Sequence, residues 1–272
     1  MHRSDWHELP PGTRDAVEEV VGPVVDTMTV SAGLNSALAA TLRLHSGSKV
    51  FAKGLRTDQR GVVTQDREAL IAPYLGEVAP PLIGQVVSGQ WNILLFQHID
   101  ARHADYSPGS ADIQRAVDLV RDLGQITLPE GLALKFAEQR WSSYIDDESD
   151  RALLRGDALL HTDYNPHNVL VTDADAFLID WAWPTRGAAW IDPACLVVRL
   201  IAAGNTAAEA EKWVDQIPAW AEAEPNALDV FSRGTARMWD EIAGHDPVDW
   251  KSSMAAAART WLDHRESSLT SA

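Results

Sequence analysis

Between His161 and Asp180 the chain collects side chains that handle protons and metal ions: His161, Asp163, His167 and Asn168, then Asp180. A carboxylate can accept or orient a proton, and a carboxylate with an amide oxygen makes a pair of hard ligands for a divalent cation. Val169 to Val171 is apolar and rich in β-branched residues, which predicts a short strand. Thr172 to Ala176 holds two Asp without periodicity and reads as a tight turn. Phe177 to Ile179 then reads as a returning strand that ends in a carboxylate. Such a hairpin brings Asp180 back beside Asn168, with Asp163 at the start of the loop facing the same cleft.

The same stretch admits a second chemistry. His161, Asp163 and His167 form H-x-D-x-x-x-H, a transition-metal pattern that would suit a metal-dependent hydrolase. Pro166 lies inside it, so the two His cannot share one continuous helix face. A polar loop without chemistry is the bland alternative. It leaves unexplained why so many costly polar groups sit between two apolar strands.

Upstream, Val24 to Val30 reads as a first strand and Ser31 to Ser36 as a cluster of turn formers. Ala39 to His45 and Val50 to Lys53 read as strands around a turn at Ser46-Gly47-Ser48. Lys53 ends an apolar strand and would be half buried there, so it needs an anionic partner. The next helical stretch, Val63 to Leu75, carries Glu68 in its first half, fifteen residues after Lys53. Leu82 to Val87 and Asn92 to Phe96 read as a strand pair turned at Ser88-Gly89.

His161-Thr162-Asp163, four residues, Asn168, then Asp180-Trp181-Ala182 resembles the catalytic loop and metal-binding Asp of protein kinases, H-R-D, four residues, N, then D-F-G. The Arg of H-R-D is absent, and Trp181-Ala182 replaces Phe-Gly. These departures bring the chain closer to the aminoglycoside phosphotransferase family. The resemblance covers most of the chain and is strongest from His161 to Ala194. It implies an α+β, bilobal, protein-kinase-like fold. A small β-rich lobe would span residues 1–96, a hinge 97–104, and a helical lobe 105–272.

The resemblance also implies an ATP-dependent phosphotransferase, with GTP as the alternative nucleotide. The acceptor would be a hydroxyl of a small molecule, an aminoglycoside or another antibiotic-like compound or metabolite. Asp163 would accept or orient the hydroxyl proton, and His161 would brace the loop. Asn168 and Asp180 would hold Mg2+. Lys53 would meet the phosphates, positioned by Glu68, together with the loop of Ser31, Gly33 and Ser36. That loop is not a repeated-glycine loop; its backbone N–H groups and hydroxyls would do the work. Backbone groups of Gln97, His98 and Ile99 would meet the purine edge. A nucleotide-binding pseudo-enzyme is a further alternative, and its expected mark is a missing catalytic Asp or metal ligand.

Ser110-Ala111-Asp112 starts a helix running to about Ile126, striped by Ile113, Ala116, Val117, Val120 and Leu123. A second helix is expected from Leu132 to Tyr144. The acidic run Asp146 to Asp150 reads as a solvated turn, or as an acidic rim for a cationic substrate. Asp192 precedes Pro193 and an apolar helical run, Ala194 to Ala203, so it either caps that helix or braces the loop. Further helices are expected over 206–221, 227–243 and 248–265. Nine of the eleven tryptophans lie from Trp141 onward; most suit a core, and some could line an acceptor pocket.

A net charge of -16 argues against nucleic-acid binding, which needs a basic footprint. It suits a cationic small substrate steered to an acidic cleft. The single cysteine, Cys195, fits a reducing compartment. The polar N-terminal segment and the lack of a membrane-length apolar run point to a cytoplasmic protein with no membrane partner. No obligate protein partner is evident. Eleven residues separate Asp180 from Asp192, and Thr185 is their only hydroxyl. A phosphorylated activation segment is therefore not expected, and neither is a protein acceptor.

Overall fold

The structure is a computed structural model describing residues 3–30 and 36–269. Ser31 and Gly33 of the expected phosphate loop lie outside the described residues. The chain divides into two compact units. The first is Met1–Ala101 with Phe177–Trp183; the second is Arg102–Ala176 with Pro184–Ala272.

The first unit opens with helix α1 (Pro11–Val21) and strand β1 (Val24–Thr29), followed by β2 (Leu38–Leu44) and β3 (Lys49–Arg56). Helix α2 (Val62–Ile71) precedes the hairpin β4 (Leu82–Ser88) and β5 (Trp91–Gln97). The five strands form an antiparallel sheet in the order β1-β2-β3-β5-β4. The hairpin turns at Gly89, whose φ of 57° suits a residue without Cβ. Trp6, Leu9 and Val17 pack with Val50, Ala52, Leu42, Ile93 and Leu95 into one buried core. Alternation along β3 puts Val50 and Ala52 on that face and Lys53 on the other, where Gln65 of α2 binds the Lys53 carbonyl.

The second unit begins with β6 (Arg102–His103) and α3 (Asp112–Leu123), whose apolar stripe is buried as the sequence predicts. Then come β7 (Lys135–Phe136), α4 (Ala137–Arg140), α5 (Glu148–Ala152), β8 (Ala158–Leu160) and β9 (Val169–Val171). Strand β10 (Ala176–Leu178) carries the chain into the first unit. The turn between β9 and β10 is closed by Thr172 N–H donating to the Asp175 carbonyl at 2.9 Å. After β11 (Thr185–Gly187) the rest is helical: α6 (Ile191–Ala202), α7 (Ala207–Val214), α8 (Pro218–Ala221), α9 (Pro225–His245) and α10 (Asp249–Leu269). Trp141, Trp190 and Trp261 surround Phe231 in its aromatic core, and Trp220 packs on Trp261.

Two helix expectations are corrected. Leu132 to Tyr144 is not one helix. Lys135 and Phe136 are extended and pair in parallel with Thr185 and Arg186, so strand pairing overrides local helix preference. The span 206–221 is two helices. Asp147, expected in a merely solvated run, caps α5 by accepting from Ser149 N–H at 2.7 Å.

Candidate active site

Lys53 lies near the middle of the sheet, opposite Ala39 on β2 and Leu94 on β5. Its ammonium donates to Glu68 Oε2 at 2.9 Å and to Asp180 Oδ1 at 2.6 Å. Glu68 and Gln65 are three apart on α2, so both face β3. Glu68 uses its other oxygen to accept from Trp181 N–H at 3.3 Å. Asp180 itself adopts φ 65°, a left-handed backbone that a non-glycine residue holds only when its surroundings enforce it.

Burial by itself would lower the Lys53 pKa, but the charges of Glu68 and Asp180 overcome it and the net direction is upward. Lys53 is therefore a fixed cation. Burial, with the Asp180 charge, raises the Glu68 pKa against the pull of Lys53; with both carboxylates ionised, two share one ammonium and the trio carries a net negative charge.

Ser36 is buried directly ahead of β2. Gln97 ends β5, and its N–H is already used by the Pro81 carbonyl at 2.9 Å. His98 and Ile99, the other two expected hinge contacts, follow β5 and are half buried.

In the second unit the loop after β8 is held from beneath by Asp192 on the first turn of α6. One carboxylate oxygen accepts from His161 N–H at 2.9 Å and from the Tyr164 hydroxyl at 3.0 Å. The other accepts from Thr162 N–H at 2.8 Å. Asp192 is thus a loop brace and does not cap α6, which has no side-chain cap. Burial raises its pKa to about 6, against the opposing pull of the His161, Thr162 and Tyr164 hydrogen bonds. Thr162 is the second left-handed non-glycine residue, at φ 68°.

This bracing presents Asp163. Its N–H donates to His161 Nδ1 at 3.2 Å. Nδ1 must therefore be unprotonated, and the buried ring acts as a loop brace. Asp163 Oδ1 accepts from Arg199 Nη2 at 2.6 Å, and Oδ2 accepts from Asn168 Nδ2 at 3.1 Å. Asn168 also donates to the Asp163 carbonyl at 3.2 Å. With its nitrogen so engaged, its amide oxygen is turned away from Asp163. Asn165 accepts from His167 N–H at 3.0 Å and starts the short turn through Pro166.

The structure thus brings Lys53, Glu68 and Asp180 together in the first unit, and His161, Asp163 and Asn168 in the second. The alternative metal cluster does not form. His167 stacks edge-on against His103 at 5.0 Å, while His161 is buried beside Tyr164. Among the described residues no group of three His, Cys, Asp or Glu is arranged to hold a metal. Thr185 is 1% exposed and accepts from Arg140 Nη1 at 2.9 Å, so it is not accessible for modification.

Three contributors escape the sequence reading: Tyr164, Arg199 and Arg67, whose guanidinium lies 5.4 Å from the Trp183 ring. A signal existed for Arg199. It is the lone charge in the apolar run Ala194 to Ala203.

No protein-family model and no curated protein sequence matches the chain. Solved structures do. An aminoglycoside phosphotransferase from Alicyclobacillus acidocaldarius is 14% identical with a TM-score of 0.66, over 97% of this chain and 98% of that one. A thermostable mutant of aminoglycoside phosphotransferase APH(4)-Ia, in ternary complex with ADP and hygromycin B, is 13% identical with a TM-score of 0.59, over 90% and 97%. The choline kinase LicA from Streptococcus pneumoniae is 13% identical with a TM-score of 0.54, over 92% and 98%. The chain therefore has the α+β, protein-kinase-like fold that these aminoglycoside phosphotransferases and choline kinases share.

Proposed function

We propose that the protein transfers the γ-phosphate of ATP to a hydroxyl of a small molecule. The observation that carries this reading is the trio of Lys53, Glu68 and Asp180. A buried cation fixed by two carboxylates suits polyphosphate binding, and the leftover negative charge suits a metal ion. The structural likeness to phosphotransferases, one of them in complex with ADP, supports it.

In this reading Lys53 meets the α- and β-phosphates and Glu68 keeps it in place. Asp163 orients the acceptor hydroxyl and takes its proton. His161 and Asp192 hold the loop so that Asp163 need not be organised at the moment of reaction. The oxygen donors of Asn168 and Asp180 fit Mg2+, which strongly prefers such ligands. Bound there, Mg2+ would neutralise phosphate charge. The acceptor class is an aminoglycoside or another hydroxylated antibiotic or metabolite, with a cationic compound favoured by the net charge of -16.

The test is transfer of label from γ-labelled ATP, with GTP in parallel, to a panel of hydroxylated small molecules and to generic protein substrates. A labelled small molecule is the expected result. Labelled protein with no small-molecule product would overturn the reading, as would no transfer anywhere.

A further inference from the structure

We infer that Arg199 is a positioning residue for Asp163, supplied from a helix and not from the loop that carries the aspartate. The inference rests on the phosphotransferase reading above and adds a residue to it. No Lys or Arg occurs from His161 to Asp180, so the loop itself offers Asp163 no cation. The charge facing Asp163 comes from α6, thirty-six residues downstream, at 2.6 Å.

Arg199 is itself held. Its guanidinium lies 5.6 Å from the Trp239 ring on α9, and its Nη1 is 3.3 Å from Met254 Sδ on α10. The arginine side chain is 11% exposed and the aspartate side chain 44%. A rigid, nearly buried cation thus faces a half-exposed carboxylate. A pair with one member in water contributes little to stability. The loop backbone does not depend on it either, because Asp192, His161 and Asn165 already hold that backbone.

What Arg199 does fix is the carboxylate rotamer. It shares Oδ1 with the longer Asn165 N–H contact at 3.3 Å, Asn168 occupies one side of Oδ2, and the remaining lone pair of Oδ2 is left for an acceptor hydroxyl. A reacting group misplaced by about 1 Å can cost on the order of 100-fold in rate. The pair therefore acts on turnover.

The test is a cycle. Arg199→Met and Arg199→Gln are made in the parent protein and in Asp163→Asn. Label transfer from ATP to the best acceptor of the panel, magnesium-nucleotide affinity and unfolding by urea are measured for each. In the parent background both variants should lower kcat on the order of 100-fold, leaving acceptor KM and nucleotide affinity in place. In Asp163→Asn they should cost nothing further, because the charge they hold is gone. Unchanged kcat in the Gln variant, which preserves a donor and the fold, overturns the inference. So does an equal loss in both backgrounds, which marks a structural role. A parent protein with no transfer to any acceptor overturns the phosphotransferase reading itself, and this outcome is distinct from the other two.

Discussion

Replacing Asp163 by Asn removes one charge and leaves the loop braces intact, since they run through Asp192 and His161. Turnover should fall on the order of a hundredfold or more, while magnesium-nucleotide affinity stays. Near-normal turnover would sink the role given to Asp163. Asp180→Ala takes one of two carboxylates from Lys53. Glu68 still pairs with the ammonium at 2.9 Å, so the buried cation keeps a partner and the fold should hold. Binding of ATP should then lose its response to magnesium. Calorimetric titration with and without the metal decides it; an unaltered magnesium response removes Asp180 from the ligand set. At this scale the sequence was readable wherever chemistry is local. Asp163 and Asn168 are five apart, and Lys53 and Glu68 join a strand to the next helix. Arg199 was not readable, because its partner is brought to it by tertiary packing and α6 reads simply as an apolar helix.

Helix α6 does two jobs through its first and third turns: Asp192 holds the loop and Arg199 holds its carboxylate. The first job carries a pH signature. The folded-state pKa of Asp192 is about 6 against an ordinary 3.8. Between those values the folded protein keeps a proton that the unfolded chain has released. Stability from this group is therefore full below about pH 4 and declines as pH rises toward 6, by up to roughly 3 kcal/mol. Asp192→Asn has no such titration. The stability gap between parent and variant, from urea unfolding at a series of pH values, should shrink from pH 4 to pH 7. A constant gap would mean that Asp192 does not titrate in this window. Elements themselves were legible where the apolar stripe was strong, as in α3, or where a turn cluster such as Ser46-Gly47-Ser48 set two strands apart, as for β2 and β3. They were not legible at 132–144, where the pairing of Lys135 and Phe136 with β11 decides the conformation. Nor does 206–221 stay whole: Ile217 is extended ahead of Pro218, which opens a new helix.

For the molecule as a whole, the net charge of -16 sets the long-range field that an approaching acceptor meets. A polycationic acceptor should lose kcat/KM as sodium chloride rises from low concentration toward about 0.15 M, where the screening length is about 8 Å. A neutral polyol acceptor should respond little. Steady-state kinetics on one of each decides it, and identical salt responses would exclude steering. The two-unit division has another consequence. Phe177–Trp183 belongs with Met1–Ala101, although the second unit lies on both sides of it in the chain. A gene fragment ending at Ala101 would encode Lys53 and Glu68 without Asp180, and without the Trp181 N–H that Glu68 accepts. No single cut in the gene yields this lysine with both of its carboxylates and without Arg102–Ala176 of the second unit. Recombination that exchanges the first hundred codons alone would set this Lys53 and Glu68 against another chain's residue at position 180.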